Sequence, residues 1–392
     1  MAKQISLYFH IPFCLSKCDY CDFFSIKCAG NITDEYVEAL CTELRIRMSG
    51  LEKKNGEPLQ VNTIYIGGGT PSLLSRQQLK TLTDQIYKYN VSQDYEFTVE
   101  VNPDDVTQKL LQVLEECGVN RISCGVQSFS QTVLKSVHRR ADLAQIQAAM
   151  DLITHLWKGK ISVDLICGLP GETEQSLLSG LEKLCSYRNI NDNPVNHISF
   201  YSLSVEENTP LYKKISSGQT DYDFDFSDKL WLKGRDFLLS KGYEQYEVSN
   251  FCIKDSECRH NMVYWESKDY LGIGSGATGT LHNKDGSAVR YTGTTDIKAY
   301  IKDPAGTGTQ EKIDIKTAQF EFFMMGLRTA KGVDRLRFKK IFGTDFPEKT
   351  LEIIAQWQQK GLMTVKKYPS SELYSLTKEG ILFLNSFLEQ II

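Results

Sequence analysis

Six short β-rich runs, each followed by a helical pattern, leave few topologies open to this chain. The runs cover Ser6–Phe9, Thr63–Ile66, Phe97–Val101, Arg121–Val126, Ile161–Leu165 and His197–Leu203. Strands alternating with helices imply a parallel sheet with right-handed crossovers. The count falls short of a complete eight-unit barrel, so the sequence predicts an α/β fold built on a partial (β/α)6 TIM-like barrel. In such barrels chemistry gathers at the C-terminal ends of the strands. Local signals place the helices. One covers residues 31–48, with Thr33 or Asn31 as cap. Ser75 and Gln78 have capping-box spacing. Leu110, Leu114 and Cys117 share a helical face that stops at Gly118.

The pattern changes after about Gly218. Asp225–Lys241 reads as a helix and Glu244–Val248 as strand-like. Ser249–Tyr291, rich in Gly, Asn and Tyr, reads as a long functional loop region. Helical patterns then cover Lys316–Arg328, Asp334–Phe342 and Pro347–Lys360. Two short strands, Leu362–Lys366 and Leu373–Leu376, flank a Tyr-Pro-Ser-Ser turn, and a last helix starts near Thr377. This is the order of a small winged-helix-like α+β domain. The expected division is 1–220 for the partial barrel, 221–310 for its extension and binding loops, and 311–392 for the C-terminal domain.

A net charge of −4 gives no reason to expect nucleic acid as a partner. The N-terminus has no apolar core of a signal peptide, and no run of 18 apolar residues occurs, so a cytoplasmic protein is expected. In that compartment 11 cysteines, an odd number, are buried, catalytic or metal-bound rather than disulfide-linked. Three of them form Cys14-x-x-x-Cys18-x-x-Cys21 directly after the first strand. Three thiolates this close can converge on one inorganic centre. A closed cubane takes four cysteines, so three leave one iron open. Structural zinc wants four protein ligands; Cys28 is near but has no companion at zinc spacing. Spacing alone favours an iron–sulfur cluster and leaves zinc as the alternative. Lys17, Asp19 and Asp22 make simple thiol burial a weaker reading.

The run Tyr8-Phe9-His10-Ile11-Pro12-Phe13-Cys14, followed by Cys18-x-Tyr20-Cys21-Asp22-Phe23, resembles radical S-adenosylmethionine (SAM) proteins of the oxygen-independent coproporphyrinogen oxidase group. The resemblance extends over almost the whole chain. It implies a [4Fe-4S] cluster on Cys14, Cys18 and Cys21, with SAM chelating the open iron and open to cleavage into methionine and a 5′-deoxyadenosyl radical. Gly67-Gly68-Gly69-Thr70, alone an ordinary tight turn, matches the place where the family holds the SAM amino group. Tyr8, Gly68, Gly69, Thr70, Glu100, Gln127, Arg139 and Asp164 match cofactor-contacting positions, and Tyr20 is placed to pack on adenine. The chemistry suits these roles: Glu100 and Asp164 can accept from ribose hydroxyls, and Arg139 can fork onto a carboxylate.

Two further motifs need weighing. Gly274-x-Gly276-x-x-Gly279 matches the dinucleotide fingerprint, but Thr280–Gly286 reads as a turn where a helix is required. These glycines are expected to form a loop near the active-site cavity. His260-Asn261-Met262-Val263-Tyr264-Trp265 would by composition be a hydrogen-bonded histidine beside a core tryptophan. It resembles, however, the haem-binding run of the haem-chaperone branch of this group, which implies His260 as ligand to haem iron. The oxidases of the group carry a further cysteine where Phe23 stands, and an extended N-terminal region; here 13 residues precede Cys14. The resemblance thus implies a haem chaperone with haem-accepting proteins, respiratory enzymes among them, as partners. It is compatible with a dimer and with weak membrane-proximal association through those acceptors. The alternatives are coproporphyrinogen oxidation, radical haem degradation and a zinc-stabilised binding module. The basic residues Arg335, Arg337, Lys339 and Lys340 suggest a lid over the barrel mouth or a docking face for an acceptor.

Overall fold

The computed structural model describes residues 3–28 and 32–391. Strand β1 (Gln4–Ile11) buries Ile5, Leu7, Phe9 and Ile11. It runs into the cysteine loop, whose base is tied by a two-residue parallel pair, β2 (Phe13–Cys14) and β3 (Ile26–Lys27). Helix α1 (Asp34–Asn55) follows Thr33, whose side chain makes no capping bond. Asn31, the other expected cap, lies outside the described residues. Strands β4 (Gln60–Gly68), β5 (Asn90–Val101), β6 (Arg121–Gln127), β7 (Lys160–Cys167) and β8 (His197–Ser202) continue the sheet in parallel beside β1. Between and after them lie α2 (Arg76–Ile86), α3 (Gln108–Glu116), α4 (Gln131–Ser136), α5 (Leu143–Leu156), α6 (Glu174–Ser186), α7 (Pro210–Ser216) and α8 (Phe224–Ser240).

The local signals act as their chemistry requires. The Ser75 and Gln78 side chains each accept from the other's backbone N–H, at 3.2 and 3.0 Å, satisfying two orphan donors of α2. Helix α3 ends before Gly118, which adopts φ 78°.

The segment read as a long loop is instead ordered structure. The strand-like stretch before it holds β9 (Glu244–Gln245), and the segment itself holds β10 (Asn250–Cys252), α9 (Arg259–Trp265), β11 (Tyr270–Ile273), β12 (Thr278–His282) and β13 (Ala288–Thr292). Helix α10 (Ile297–Lys302) and β14 (Thr309–Ile313) follow. β11 pairs in parallel with β1, adding a seventh parallel strand, and β12, β13 and β14 extend that edge antiparallel. β10 and β9 extend the other edge beyond β8. The glycines that suggested a loop are close-approach positions. A Cβ on Gly272 would lie 2.2 Å from the Thr278 carbonyl, and one on Gly279 would lie 2.6 Å from the Gly272 nitrogen. Gly276 is followed by strand β12, with Thr280 to His282 inside it, so no dinucleotide helix forms. Gly274 packs on the His10 carbonyl and Gly276 on Phe24, behind the cysteine loop rather than on a cavity wall.

The C-terminal part comprises α11 (Ile315–Gly326), β15 (Val333–Asp334), α12 (Arg335–Phe342), α13 (Glu348–Gln359), β16 (Met363–Lys367), β17 (Glu372–Leu376) and α14 (Leu384–Ile391). β15, β17 and β16 form a small antiparallel sheet, giving the winged-helix-like arrangement. Its core is aromatic: Phe338 packs 4.6 Å from Phe342 and 4.9 Å from Phe346, centroid to centroid. This core, from Phe322 to Leu388, is separate from the large one that runs from Ile5 to Tyr300.

The C-terminal part sits beneath the barrel, at the N-terminal ends of the strands. Glu247 and Thr329 form an antiparallel bridge, and Arg337 donates to the Glu266 carbonyl next to α9. It is therefore not a lid over the barrel mouth. On α12, Arg335 pairs with Asp345 and Glu372, each at 2.7 Å.

Candidate functional site

The C-terminal ends of the parallel strands enclose a cavity of about 410 Å³. Cys14, Cys18 and Cys21 line it, together with Tyr20, Gly68, Gly69, Thr70, Glu100, Gln127, Arg139 and Asp164. Eleven of the thirteen positions singled out in the sequence thus share one wall system, although they come from the cysteine loop, four different strand ends and, for Arg139, the connection between α4 and α5.

The loop is held by hydrogen bonds to sulfur. Thr70 donates to Cys14 Sγ at 3.5 Å, and Arg139 Nη1 donates to Cys18 Sγ at 3.6 Å. Asn102 joins the two donors. Its carbonyl oxygen accepts from Arg139 Nη2 at 2.8 Å, and its amide donates to Thr70 Oγ1 at 3.3 Å. Burial opposes the Arg139 charge, but Tyr20 and Cys18 outweigh it and hold the guanidinium protonated. Its Nε is buried with no partner among the described residues. Burial raises the Cys21 thiol above the ordinary range. Donors and a fixed cation around sulfur are what stabilise bound thiolates and tune a cluster.

The donor set fits a cluster better than zinc. Among the described residues no three His, Cys, Asp or Glu side chains converge on one ion position. A structural zinc takes four protein ligands, whereas three thiolates leave one iron of a cubane open. A cubane spreads three thiolates over separate irons, and a shared cavity wall suffices.

The glycine run is shaped by what it touches. Gly68 adopts φ 112°, and a Cβ there would sit 2.5 Å from the His10 ring. A Cβ on Gly69 would sit 2.8 Å from the Ile11 and Phe13 carbonyls. Only bare backbone can pass between the loop and the Glu100 strand. Glu100 accepts from the Gly68 N–H at 2.9 Å and from Tyr65 at 2.8 Å. Burial, then the charge of Asp164, pushes its pKa up to about 7. Asp164, also raised by burial, accepts from Ser123 at 3.0 Å. Gln127 has φ 71° at an irregularity in the β6–β7 register, which turns its side chain onto the wall. Tyr20 lines the cavity and packs on Val133, Val137 and Leu169.

Two expected positions lie elsewhere. Tyr8 is not on the cavity wall; its hydroxyl bonds His10 Nδ1 at 2.9 Å. Tyr65, its register partner on β4, takes the wall instead. His260 is buried at 1% exposure in the barrel interior. Nδ1 bonds Thr63 at 2.8 Å, Nε2 bonds Tyr264 at 2.8 Å, and the ring stacks on Tyr65 at 5.1 Å. Burial depresses its pKa to about 3, so the ring is neutral. Both nitrogens are thus hydrogen-bonded to side chains of the barrel floor and of α9 itself. Cys258 is likewise buried, with its thiol donating to Glu96 at 3.5 Å.

Sequence reasoning missed Tyr65, Asn102 and Ser123. Asn102 carried a weak signal, an Asn-Pro step directly after a strand. Tyr65 and Ser123 sit mid-run, where only the pleat decides which residues face inward.

Comparison with known proteins agrees with this geometry. The profile of the radical SAM superfamily matches residues 8–184. The chain is 32% identical to the heme chaperone HemW of Lactococcus lactis, covering 100% of this chain and 98% of that one. It is 34% identical to heme chaperone HemW of Escherichia coli, covering 98% and 97%. A protein of Danio rerio named radical S-adenosyl methionine domain-containing protein 1, mitochondrial, is 32% identical over 85% of this chain and 74% of its own. Among solved structures, coproporphyrinogen III oxidase (HemN) from Escherichia coli, described as a radical SAM enzyme, shares the fold. The TM-score is 0.80, with 21% identity over 100% of this chain and 90% of that one. The fold, the cysteine cavity and full-length kinship together place the chain in the radical SAM superfamily, within the HemW family.

Proposed function

We propose that this protein is a haem chaperone: it binds haem and passes it to haem proteins, on a scaffold that carries a [4Fe-4S] cluster and SAM. The observation that carries the reading is kinship along the whole chain with relatives named for that role, at 32–34% identity. The cavity supports it. Cys14, Cys18 and Cys21 hold the cluster, with Thr70 and Arg139 donating to two of the sulfurs. When bound and reduced, such a cluster supplies an electron and an open iron site to SAM. The chain's own part is binding and orientation. Gly68 and Gly69 bring backbone close to the loop, Glu100 and Asp164 present acceptors, and Arg139 fixes charge. Phe23, 70% exposed just beyond Cys21, brings no ligand or acid–base group to the mouth.

Haem proteins are the acceptors, and respiratory haem enzymes are the ones we favour. No helix among the described residues is long and apolar enough to cross a membrane. Function requires haem affinity high enough for capture yet lower than the acceptor's.

The test is haem titration of the anaerobically reconstituted protein, followed by mixing with a haem-free acceptor. Saturable binding and transfer to the acceptor spectrum are expected. A protein that shows no saturable haem band would sink the reading.

A further inference from the structure

Two of the three loop cysteines receive a side-chain hydrogen bond at sulfur, and both donors answer to one residue. Asn102 directly follows β5 and opens an Asn-Pro-Asp-Asp turn. Its neighbours fix the orientation of its amide. A guanidinium only donates, so the atom 2.8 Å from Arg139 Nη2 is the carbonyl oxygen Oδ1. The amide nitrogen Nδ2 then faces Thr70 Oγ1, at 3.3 Å. An amide nitrogen also only donates, so Thr70 accepts there. The Thr70 hydroxyl proton is left for Cys14 Sγ, at 3.5 Å. Donation therefore runs one way: guanidinium to amide, amide to hydroxyl, hydroxyl to sulfur. From the same guanidinium, Nη1 reaches Cys18 Sγ at 3.6 Å. Thr70 is buried, and hydrogen bonds in series polarise one another in such surroundings.

The turn holds Asn102 firmly enough for this. Its backbone N–H donates to Ser72 Oγ at 3.3 Å, and Ser72 donates to Asp105 at 2.7 Å. Asp105 pairs with Arg140 at 2.6 Å, and Asp104 accepts from Arg140 at 2.9 Å. Two consecutive arginines are thus gripped differently. The carboxylates neutralise Arg140, whereas the amide leaves the charge of Arg139 directed at the cysteine loop. The residue type at 102 matters. An aspartate would still hold Arg139, but it can only accept, so it would draw the Thr70 proton to itself and away from sulfur.

A hydrogen bond donated to a ligating sulfur stabilises the more negative, reduced form of a cluster and so raises its reduction potential. We propose that Asn102 is the positioning residue that sets the reduction potential of the [4Fe-4S] cluster, by directing the Thr70 hydroxyl onto Cys14 and holding Arg139 against Cys18. The proposal rests on the assignment of the cluster to Cys14, Cys18 and Cys21 and adds the control of its potential. Asn102 acts through its two neighbours and bonds no sulfur itself among the described residues.

The experiment reconstitutes the full chain anaerobically with iron and sulfide and titrates the cluster between its oxidised and reduced states. Electron paramagnetic resonance is the readout, applied to the native chain, Asn102→Asp, Thr70→Val and the double variant. Iron and sulfide content and thermal melting are the controls for loading and fold. Asn102→Asp is expected to lower the reduced-to-oxidised ratio at a fixed potential about tenfold, a shift of about 59 mV for one electron. Thr70→Val should move it in the same direction. In the Thr70→Val background the hydroxyl is already gone, so Asn102→Asp should shift the ratio by clearly less, leaving only the effect of the added charge. Equal shifts in the two backgrounds, or a native potential in Asn102→Asp, would overturn the proposal while the cluster assignment stands. Should Asn102→Asp fail to fold or to load, Asn102→Ala is compared in the same two backgrounds: a smaller shift beside Thr70→Val supports the relay, and an equal one overturns it. A native chain that takes up zinc and no sulfide would overturn the cluster assignment and the proposal with it.

Discussion

Gly68 ties three parts of the site together in one residue. Its φ of 112° is open to glycine, its missing Cβ makes room for the His10 ring, and its N–H anchors Glu100. Gly68→Ala should cost about 2–4 kcal/mol, since strain and overlap add. Denaturant melts and iron content after reconstitution would check this, with both expected to fall. Glu100 gives the site a pH dependence of definite sign. Burial and Asp164 raise its pKa to about 7, so at pH 6 the empty site holds mostly the protonated acid. The sulfonium of SAM favours the ionised form. SAM affinity should therefore weaken as pH falls from 8 to 6, by up to about tenfold per unit below pH 7. Calorimetry on the native chain and on Glu100→Gln is the check, with the variant weaker and nearly flat. The cysteines were legible in the sequence because their spacing is local. The surroundings of His260 were not, because its two nitrogens bond Thr63 and Tyr264, and Thr63 is remote in sequence. Tyr8 shares a register with Tyr65, and nothing in the order of residues tells which of the pair lines the cavity in this structure.

Helix α9, at seven residues, is too short to be stable alone, so its neighbours must hold it. Arg121 does so from the barrel interior. It pairs with Glu96 at 3.1 Å and donates to the Ser256 and Glu257 carbonyls just before the helix. Glu96 in turn accepts the His260 N–H at 2.9 Å. Arg121→Met should destabilise by about 3–5 kcal/mol, because Glu96 is left buried and unpaired. Adding Glu96→Leu should recover part of that, which a double-mutant cycle in urea would measure. Glu247 braces the same region from the side of the C-terminal part. Burial lifts its pKa from the ordinary 4.5 to about 7, against the donors of Asn250 and Ser249. Because the folded value is the higher one, its contribution is fully present below pH 4.5 and is lost as pH rises through 7. Glu247→Gln should thus stabilise the protein relative to the native chain more at pH 8 than at pH 5, by on the order of 2–3 kcal/mol. Melting curves at the two pH values test it. Six barrel strands were readable from their apolar runs. β11 and β12 were hidden, because facing glycines such as Gly272 and Gly279 carry no side chain to register a strand period.

At the scale of the whole molecule, the antiparallel extension and the C-terminal part turn one barrel into a protein with two compartments. The upper one collects the cysteine loop and strand ends; the lower one lies between barrel floor and C-terminal part, and α9 is their common partition. No sequence pattern reveals this, since it depends on β11 docking beside β1 and on the C-terminal part packing below rather than above. A shared wall has a thermodynamic consequence. If two ligands bias the same helix, each changes the affinity of the other by the same factor. Coupling through so short an element is expected at about 1 kcal/mol, or roughly fivefold. Haem affinity measured with and without SAM on the reconstituted protein should differ by that factor, and SAM affinity with and without haem should differ equally. Arg121→Met, which frees the start of α9, should shrink both differences together while leaving the cysteine loop in place. Unequal factors would show that the two ligands do not communicate through a single equilibrium. Equal factors of one would make α9 a rigid barrier and the two compartments independent.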